Sequence, residues 1–202
     1  MPDWTIVIPV KGTTSAKSRL RASPDLALAI ALDTVAAALP TTGPLALPEL
    51  VEGPDVIVVT SQSIAAQFET LGARTIIDHR AGLGAAIAQG IAAAGDGPVA
   101  VLLGDLPALR PAELAAALEL AAQHPLAFVP DADNDGTVLI AALNAADHRP
   151  AFGLQSRRAH LAAGYVELAI PLNSGLRRDV DTAEQLAALG PRLGPRSRAA
   201  LR

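Results

Sequence analysis

The sequence predicts an α/β fold in which a mostly parallel, mixed sheet lies between two layers of helices. Short apolar runs alternate along the chain with longer segments of helical periodicity, a pattern typical of βαβ units. The run from Val99 to Leu109 has no polar residue until Gly104-Asp105, as expected of a strand buried on both faces. The length of 202 residues fits one domain, to which we assign residues 1–202.

Composition argues against several classes of protein. The chain has no cysteine and only four widely separated histidines, so disulfides, thiol nucleophiles and cysteine- or histidine-rich metal sites are not expected. The net charge of −4 argues against nucleic-acid binding, which needs a basic surface. No apolar stretch is long enough to span a membrane and no signal peptide begins the chain. We therefore expect no membrane association and a cytoplasmic location.

The first third of the chain alternates strands and helices around one long loop. Four prolines and two glycines in residues 40–54 predict a surface loop inserted between regular elements. The expected elements are a strand over 4–10, a helix over 24–39, a strand over 56–60, a helix over 63–71 and a strand over 74–78.

A basic segment directly follows the first strand. Lys11, Lys17 and Arg19 supply positive charge, and Gly12 lets the backbone approach an anion. The Walker and dinucleotide glycine patterns are both absent. The position after the first strand of an α/β sheet nevertheless makes residues 11–21 a candidate phosphate loop, with a solvated basic loop as the alternative.

A second glycine-containing turn follows the strand that ends at Asp78. Gly82 and Gly84 precede an alanine-rich helix that runs to about residue 94. Such a turn allows a base or ribose to approach the backbone, and the N-terminus of a helix favours phosphate. Two glycines are weak support for a nucleotide-binding role, because most turns of this kind bind no ligand.

Asp105 ends the central apolar run. Ligands of open α/β sheets bind outside the carboxyl ends of the strands, where one carboxylate could hold a divalent metal. The alternative is that Asp105 only closes the turn after the strand, as aspartates often do. This stretch alone leaves the two interpretations open.

The second half continues the alternation. The expected elements are a helix over 111–123, strands over 126–130, 137–143 and 165–170, and a helix that Thr182 caps. Three aspartates in residues 131–136 resemble the start of a calcium loop, but no glutamate stands at the twelfth position. Residues 193–202 are expected to be frayed.

Two further segments carry candidate binding groups. Ser156 is predicted to cap a helix, and the adjacent Arg157 and Arg158 would make the same position suitable for an anion. Asp179 and Asp181 place two carboxylates at alternate positions before the helix that Thr182 caps.

Together, three motifs resemble a known family. They are Val10-Lys-Gly with Ala16-Lys-Ser-Arg-Leu20, Gly104-Asp-Leu-Pro107, and Asp179-Val-Asp-Thr182. The chain, from about Trp4 to Leu189, resembles the GT-A-like nucleotidyltransferases of the molybdenum-cofactor guanylyltransferase superfamily, which implies the nucleotide-diphospho-sugar transferase fold. It looks most like the guanylyltransferases of coenzyme F420 biosynthesis. These join GMP to a three-carbon phospho-acid, namely 2-phospho-L-lactate, phosphoenolpyruvate or 3-phospho-D-glycerate.

The resemblance implies roles for individual residues. The residues matching the GTP-binding positions are Lys11, Gly12, Lys17, Arg19, Gly82, Leu83 and Gly84. Asp105 and Asp179 match the Mg²⁺ ligands, and Asp181 is the alternative to Asp179 as the second ligand. Asp105 and Lys17 would be the catalytic residues. The acceptor-binding positions are Thr137, Gly153 and Ser156. This chain departs from the family at Gly84, where asparagine is usual, and at Gly104, where alanine is usual. It also departs after Thr137, where Val138 replaces a small or polar residue.

The function implied is the transfer of GMP from GTP to the phospho-acid, with release of pyrophosphate. The resemblance also implies a possible homodimer and a product passed to a downstream transferase of the same pathway. Two alternatives remain: a nucleotidyltransferase acting on molybdopterin or a sugar phosphate, and a non-catalytic nucleotide-binding module. The presence of both acids and both lysines argues against the second.

Overall fold

The computed structural model describes residues 2–10, 23–40, 53–79 and 82–202, which form a seven-stranded sheet. The strands are β1 (Thr5–Pro9), β2 (Asp55–Thr60), β3 (Arg74–Ile77), β4 (Val99–Leu102), β5 (Leu126–Pro130), β6 (Thr137–Ala142) and β7 (Val166–Glu167). Their spatial order is β3-β2-β1-β4-β6-β5-β7. Strand β6 runs antiparallel to β4 and β5, and every other pair is parallel. The predicted mostly parallel, mixed sheet is confirmed.

Helices cover both faces of this sheet. They are α1 (Pro24–Ala38), α2 (Ala65–Leu71), α3 (Leu83–Ala94), α4 (Pro111–Ala121), α5 (Ser156–Ala162), α6 (Ala183–Leu189) and α7 (Pro195–Ala200). Ile6 and Ile8 of β1 pack with α1, α2 and α4, whereas the intervening Val7 packs with Ile87 of α3. Successive strand residues therefore bury opposite faces, which gives the predicted three layers. In the described part of the chain, no helix has the length and apolar character needed to cross a bilayer.

The expectation of a frayed C-terminus is wrong. Helix α7 forms, and Ser197 within it is fully buried. The carboxylate of Asp33 on α1 accepts hydrogen bonds from the backbone N–H groups of Arg196 (3.2 Å) and Ser197 (2.8 Å). A buried acid thus satisfies N–H groups that have no partner within the helix. The sequence of residues 193–202 alone contains no sign of that partner.

One other boundary differs from expectation. The last strand is only Val166–Glu167, because the Ile170 N–H bonds to the Leu168 carbonyl and turns the chain away from β5. Of the loop expected over residues 40–54, residues 41–52 lie outside the described residues.

Helix α3 approaches the sheet closely at Gly90. A Cβ atom at this position would overlap Cγ1 of Val7 and lie 3.0 Å from Cγ2 of Val59. We expect Gly90→Ala to destabilise the protein by about 1–3 kcal/mol, as added atoms do in packed cores. Urea unfolding measures this change.

The matched control is Gly84→Ala in the same helix, where no atom lies within 4 Å of the added Cβ. Alanine has the higher helix propensity, so this variant should be no less stable than the wild type. Equal losses in both variants would contradict the close approach at Gly90.

Candidate functional site

The predicted site residues of the described chain lie at the carboxyl edge of the parallel strands. Asp105 follows the end of β4. Thr137 begins the antiparallel strand β6 and therefore lies at the same edge, paired with Pro130 at the end of β5. The Leu103 N–H donates to the Val138 carbonyl (2.9 Å) and joins the two strands beyond Leu102. The fold thus brings a predicted metal ligand and a predicted acceptor-binding residue to one edge.

Asp105 and Asp179 are brought together by a backbone hydrogen bond. The N–H of Val180 donates to the carbonyl of Asp105 (3.1 Å), so the segment bearing Asp179 lies directly beside the end of β4. Asp105 and Asp179 are both half-buried, whereas Asp181 is exposed. In the described residues, no group of three or more metal-ligating side chains occurs. A pair of carboxylates is the donor set that Mg²⁺ takes when phosphate oxygens and water complete its coordination.

Helix α1 holds the loop that carries Asp105. Oγ1 of the fully buried Thr34 accepts the N–H of Leu106 (3.0 Å) and donates to the Ile30 carbonyl (3.0 Å). The carbonyl of Pro107 accepts the N–H of Gly194 (2.7 Å). The backbone on the C-terminal side of Asp105 is therefore attached to two distant parts of the chain.

Gly104 allows this loop to lie against the end of β1. An alanine Cβ here would stand 3.1 Å from Cγ2 of Val10 and 3.3 Å from the carbonyl oxygen of Pro9. Glycine at this position thus leaves room for the loop to lie close to the end of β1.

A buried arginine holds the segment that precedes Asp179. Arg177 is 5% exposed and donates to the carbonyls of Ile170 (3.0 Å) and Asp131 (2.7 Å) and to Oδ1 of Asn134 (2.6 Å). Burial lowers the pKa of Arg177, and the nearby carboxylates of Glu167 and Asp131 oppose that effect. These bonds attach the 3₁₀ turn Gly175–Arg177 to the loop after β5.

Glu113 fixes the other side of the same turn. Its Oε1 accepts the N–H of Gly175 (2.9 Å), and its Oε2 accepts the N–H of Arg110 at the start of α4 (3.0 Å). A Cβ on Gly175 would overlap the carbonyl oxygen of Ala108. The chain leading to Asp179 therefore packs directly on the segment that follows Asp105.

The acidic turn after β5 has a structural explanation. Oδ1 of Asp131 accepts the N–H of Asp135 (3.1 Å), and Oδ2 accepts the N–H of Gly136 (2.7 Å). Both carboxylate oxygens of Asp131 thus close the turn that leads into Thr137.

Ser156 does not have the capping role predicted for it. The N-cap of α5 is Gln155, which has a φ of 55°, and the preceding Gly153 has a φ of 133°. Two residues with positive φ turn the chain, so Ser156 is already the first helical residue and is 2% exposed. Of the adjacent arginines, Arg157 pairs with Glu167 (2.8 Å) and Arg158 is exposed.

His160 connects the predicted acceptor-binding residues. Its side chain is fully buried, and its Nδ1 lies 2.9 Å from Oγ1 of Thr137. The N–H of Ala151 donates to Nε2 (2.9 Å), and the ring of Phe152 packs edge-on against the imidazole. Burial lowers the pKa of His160 to about 4, and a hydrogen bond with the Ser156 backbone opposes this shift. The imidazole is therefore neutral at pH 7.

The predicted GTP-binding residues are only partly described. Gly82, with a φ of 93°, is the N-cap of α3, and Leu83 and Gly84 begin that helix at the same edge of the sheet. Lys11, Gly12, Lys17 and Arg19 lie outside the described residues. The described chain reaches Val10, whose N–H donates to the Val59 carbonyl (2.8 Å) at this edge.

Sequence reasoning missed Thr34, Arg177 and His160. His160 stands four positions after Ser156, so the helical spacing could have indicated that the two residues share a face. Thr34 and Arg177 carried no such signal, because their partners lie far away in the sequence.

Comparison with known proteins agrees with this architecture. Residues 25–168 match the family model of the MobA-like NTP transferase domain. The phosphoenolpyruvate guanylyltransferase of Streptomyces avermitilis is 46% identical, over 98% of this chain and 93% of that protein. The phosphoenolpyruvate guanylyltransferase of Salinispora arenicola is 48% identical, over 94% of this chain and 91% of that protein.

Solved structures support the fold. A nucleotidyl transferase from Methanothermobacter thermautotroptrophicus superimposes with a TM-score of 0.57 at 19% identity, covering 92% of this chain and 95% of that one. A cytidylyltransferase from Leptospira borgpetersenii superimposes with a TM-score of 0.57 at 12% identity, covering 94% of this chain and 85% of that one. The α/β/α architecture is therefore that of nucleotidyltransferases.

The depressed pKa of His160 predicts a pH dependence of stability. Between pH 4 and 6.5 the unfolded histidine binds a proton that the folded one does not, so stability falls as the pH decreases through this window. The difference corresponds to at most roughly 3 kcal/mol. We expect His160→Asn to lose less unfolding free energy than the wild type between pH 6.5 and 4, as measured by urea unfolding.

His148 also has a pKa lowered by burial, so part of the pH dependence should persist in the variant. A variant with the same dependence as the wild type would contradict the assignment to His160.

Proposed function

The chain belongs to the MobA-like NTP transferase family and is a nucleotidyltransferase; from this premise we propose that it transfers GMP from GTP to phosphoenolpyruvate. The names of the curated relatives support guanylyl transfer and this acceptor. The observation that carries the proposal is the hydrogen bond from Val180 to the Asp105 carbonyl, which brings two half-buried carboxylates together at the ligand-binding edge. The proposed reaction is a step of coenzyme F420 biosynthesis.

In the proposed reaction, a phosphate oxygen of phosphoenolpyruvate attacks the α-phosphorus of GTP. The bond from that phosphorus to the oxygen bridging the α- and β-phosphates breaks, and pyrophosphate leaves. The product carries a diphosphate between guanosine and the enolpyruvyl group. The attacking phosphate is already an anion at pH 7, so the step needs no general base.

The main barrier is repulsion between the two anionic substrates. Two like charges 4 Å apart repel by about 1 kcal/mol in water and by about 4 kcal/mol at the effective dielectric of a protein site. Lys11 and Lys17, which the resemblance assigns to the triphosphate, would neutralise part of this charge. Catalysis then consists of alignment and charge neutralisation.

Asp105 and Asp179 would hold Mg²⁺, which supplies positive charge to the phosphate oxygens when bound. Of the two acids in the 179–181 segment, Asp179 is the better candidate because Asp181 is exposed. Thr34, Glu113 and Arg177 keep the backbone around both carboxylates in place. This preorganisation reduces the reorganisation needed when the polyphosphate binds.

The acceptor would bind beside Thr137, Gly153 and Ser156. Thr137 and Ser156 are buried and supply hydroxyl groups, while the positive φ of Gly153 turns the chain toward α5. Arg157 is already paired with Glu167, so neutral donors contribute most of the proposed acceptor contacts in this part of the site.

The test of function measures pyrophosphate release from GTP and Mg²⁺ with one acceptor at a time. Phosphoenolpyruvate, 2-phospho-L-lactate and 3-phospho-D-glycerate are compared, and the guanylylated product is identified by mass spectrometry. We expect release with phosphoenolpyruvate. Release only with a molybdopterin or a sugar phosphate would replace the proposed acceptor, and GTP binding without any transfer would contradict the proposal.

Removing either carboxylate of the proposed metal pair should abolish most activity. We expect Asp105→Asn and Asp179→Asn each to lower kcat by at least about a hundredfold, equivalent to roughly 2.7 kcal/mol of transition-state stabilisation. Steady-state kinetics at saturating GTP measures the effect, and thermal unfolding verifies the fold.

Asp133→Asn is the matched control, because Asp133 is an exposed acid in the turn after β5. This variant should retain the wild-type kcat. A large loss in Asp181→Asn with normal turnover in Asp179→Asn would assign the second carboxylate to Asp181 instead.

A further inference from the structure

His160 stands between three segments that converge on the proposed acceptor site. Strand β6 contributes Thr137, whose Oγ1 lies 2.9 Å from Nδ1 of the imidazole. The backbone of Ser156 bonds to the imidazole from one turn earlier in α5. The segment before Gly153 contributes the N–H of Ala151, 2.9 Å from Nε2. The buried imidazole therefore contacts Thr137 and the Ser156 backbone directly, and it contacts Ala151, which lies two residues before Gly153.

The position of the proton on this imidazole follows from its partners. A backbone N–H can only donate, so the bond from Ala151 requires Nε2 of His160 to be unprotonated. A neutral imidazole carries one N–H, which must then be on Nδ1. Nδ1 therefore presents its single N–H to Oγ1 of Thr137 and to the Ser156 backbone, and Oγ1 cannot donate a proton to it in return.

This arrangement orients the hydroxyl of Thr137. Because its oxygen accepts from His160, the hydroxyl proton must point toward another acceptor. Among the described residues, the side-chain hydrogen bond of Thr137 is the one with His160. An anionic group that binds at this carboxyl edge of the sheet would be a suitable acceptor.

We propose that His160 is a positioning residue that orients the Thr137 hydroxyl as a donor to the phospho-acid acceptor and so sets the affinity for this substrate. The inference rests on the proposed function. It assigns His160 no contact with GTP or with the reacting atoms. Loss of His160 should therefore raise the KM for the acceptor and leave the KM for GTP nearly unchanged.

A second buried histidine provides the matched control. Nε2 of His148 bonds to the Val99 carbonyl (2.9 Å), and Nδ1 bonds to the hydroxyl of Tyr165 (3.1 Å). Val99 begins β4, at the opposite end from Asp105. Replacing His148 removes two buried hydrogen bonds without touching Thr137, Gly153 or Ser156.

The experiment compares His160→Leu with His148→Leu, using GTP and phosphoenolpyruvate as the varied substrates. We expect His160→Leu to raise the KM for phosphoenolpyruvate about tenfold, the scale of one lost hydrogen bond to a charged group. The KM for GTP should stay within about twofold of the wild type. His148→Leu should lower thermal stability and leave both KM values within about twofold of the wild type.

A conservative variant and a double variant separate positioning from packing. The amide side chain in His160→Asn can present an N–H where Nδ1 was, so this variant should recover most of the acceptor affinity. Thr137→Val should raise the KM for phosphoenolpyruvate about as much as His160→Leu. If His160 acts through Thr137, the double variant should show no more than the effect of Thr137→Val alone.

Each outcome bears on a different claim. Equal KM values for phosphoenolpyruvate in the two leucine variants, or an equal rise in the KM for GTP, would overturn the inference and leave the function intact. If His160→Leu does not fold, an unchanged acceptor KM in Thr137→Val would overturn it instead. A wild-type protein that transfers GMP to none of the three phospho-acids would overturn the proposed function, and the inference with it.

Discussion

The site depends above all on the hydrogen bonds that hold the loop after β4. Thr34 accepts the N–H of Leu106, Val180 donates to the carbonyl of Asp105, and Gly194 donates to the carbonyl of Pro107. These three partners come from α1, from the acidic segment before α6 and from the C-terminal region. The position of the Asp105 backbone is therefore determined by the whole fold, and not by its own turn. Such attachment favours a site whose charged groups are arranged before substrate binds.

The two parts of the site differ in their electrostatics. The part around Asp105 and Asp179 carries negative charge suited to a divalent cation, whereas the part around Thr137 is built on a neutral imidazole. Protonation of His160 would place an uncompensated charge in a buried position and would disrupt the bond from Ala151. Burial therefore keeps this part of the site neutral, and the proposed acceptor contacts there depend on hydrogen-bond direction.

Local patterns predicted most of the architecture but failed where an unusual backbone turn or a distant partner decides the outcome. The alternation of elements and the burial of β4 on both faces were correct, because apolar periodicity is a local property of the chain. The cap of Thr182 on a helix was also correct for the same reason, and the structure shows that Gln185 completes its capping box. The prediction that Ser156 is an N-cap was wrong, because positive φ angles at Gly153 and Gln155 shift the start of α5. The prediction of a frayed C-terminal region was wrong, because the stabilising partner of that region, Asp33, lies on α1.

The sequence by itself determined the class of fold, the order of its elements and the residue types that end each strand. Those features depend on side-chain periodicity and turn chemistry within a few residues. Only the tertiary structure decided that the segment from Asp179 to Asp181 lies beside Asp105, with Asp179 half-buried and Asp181 exposed. It also decided that His160 is buried, with a lowered pKa and with Nδ1 2.9 Å from Oγ1 of Thr137. Both results depend on burial and on hydrogen bonds between segments far apart in the chain, which local sequence patterns do not encode.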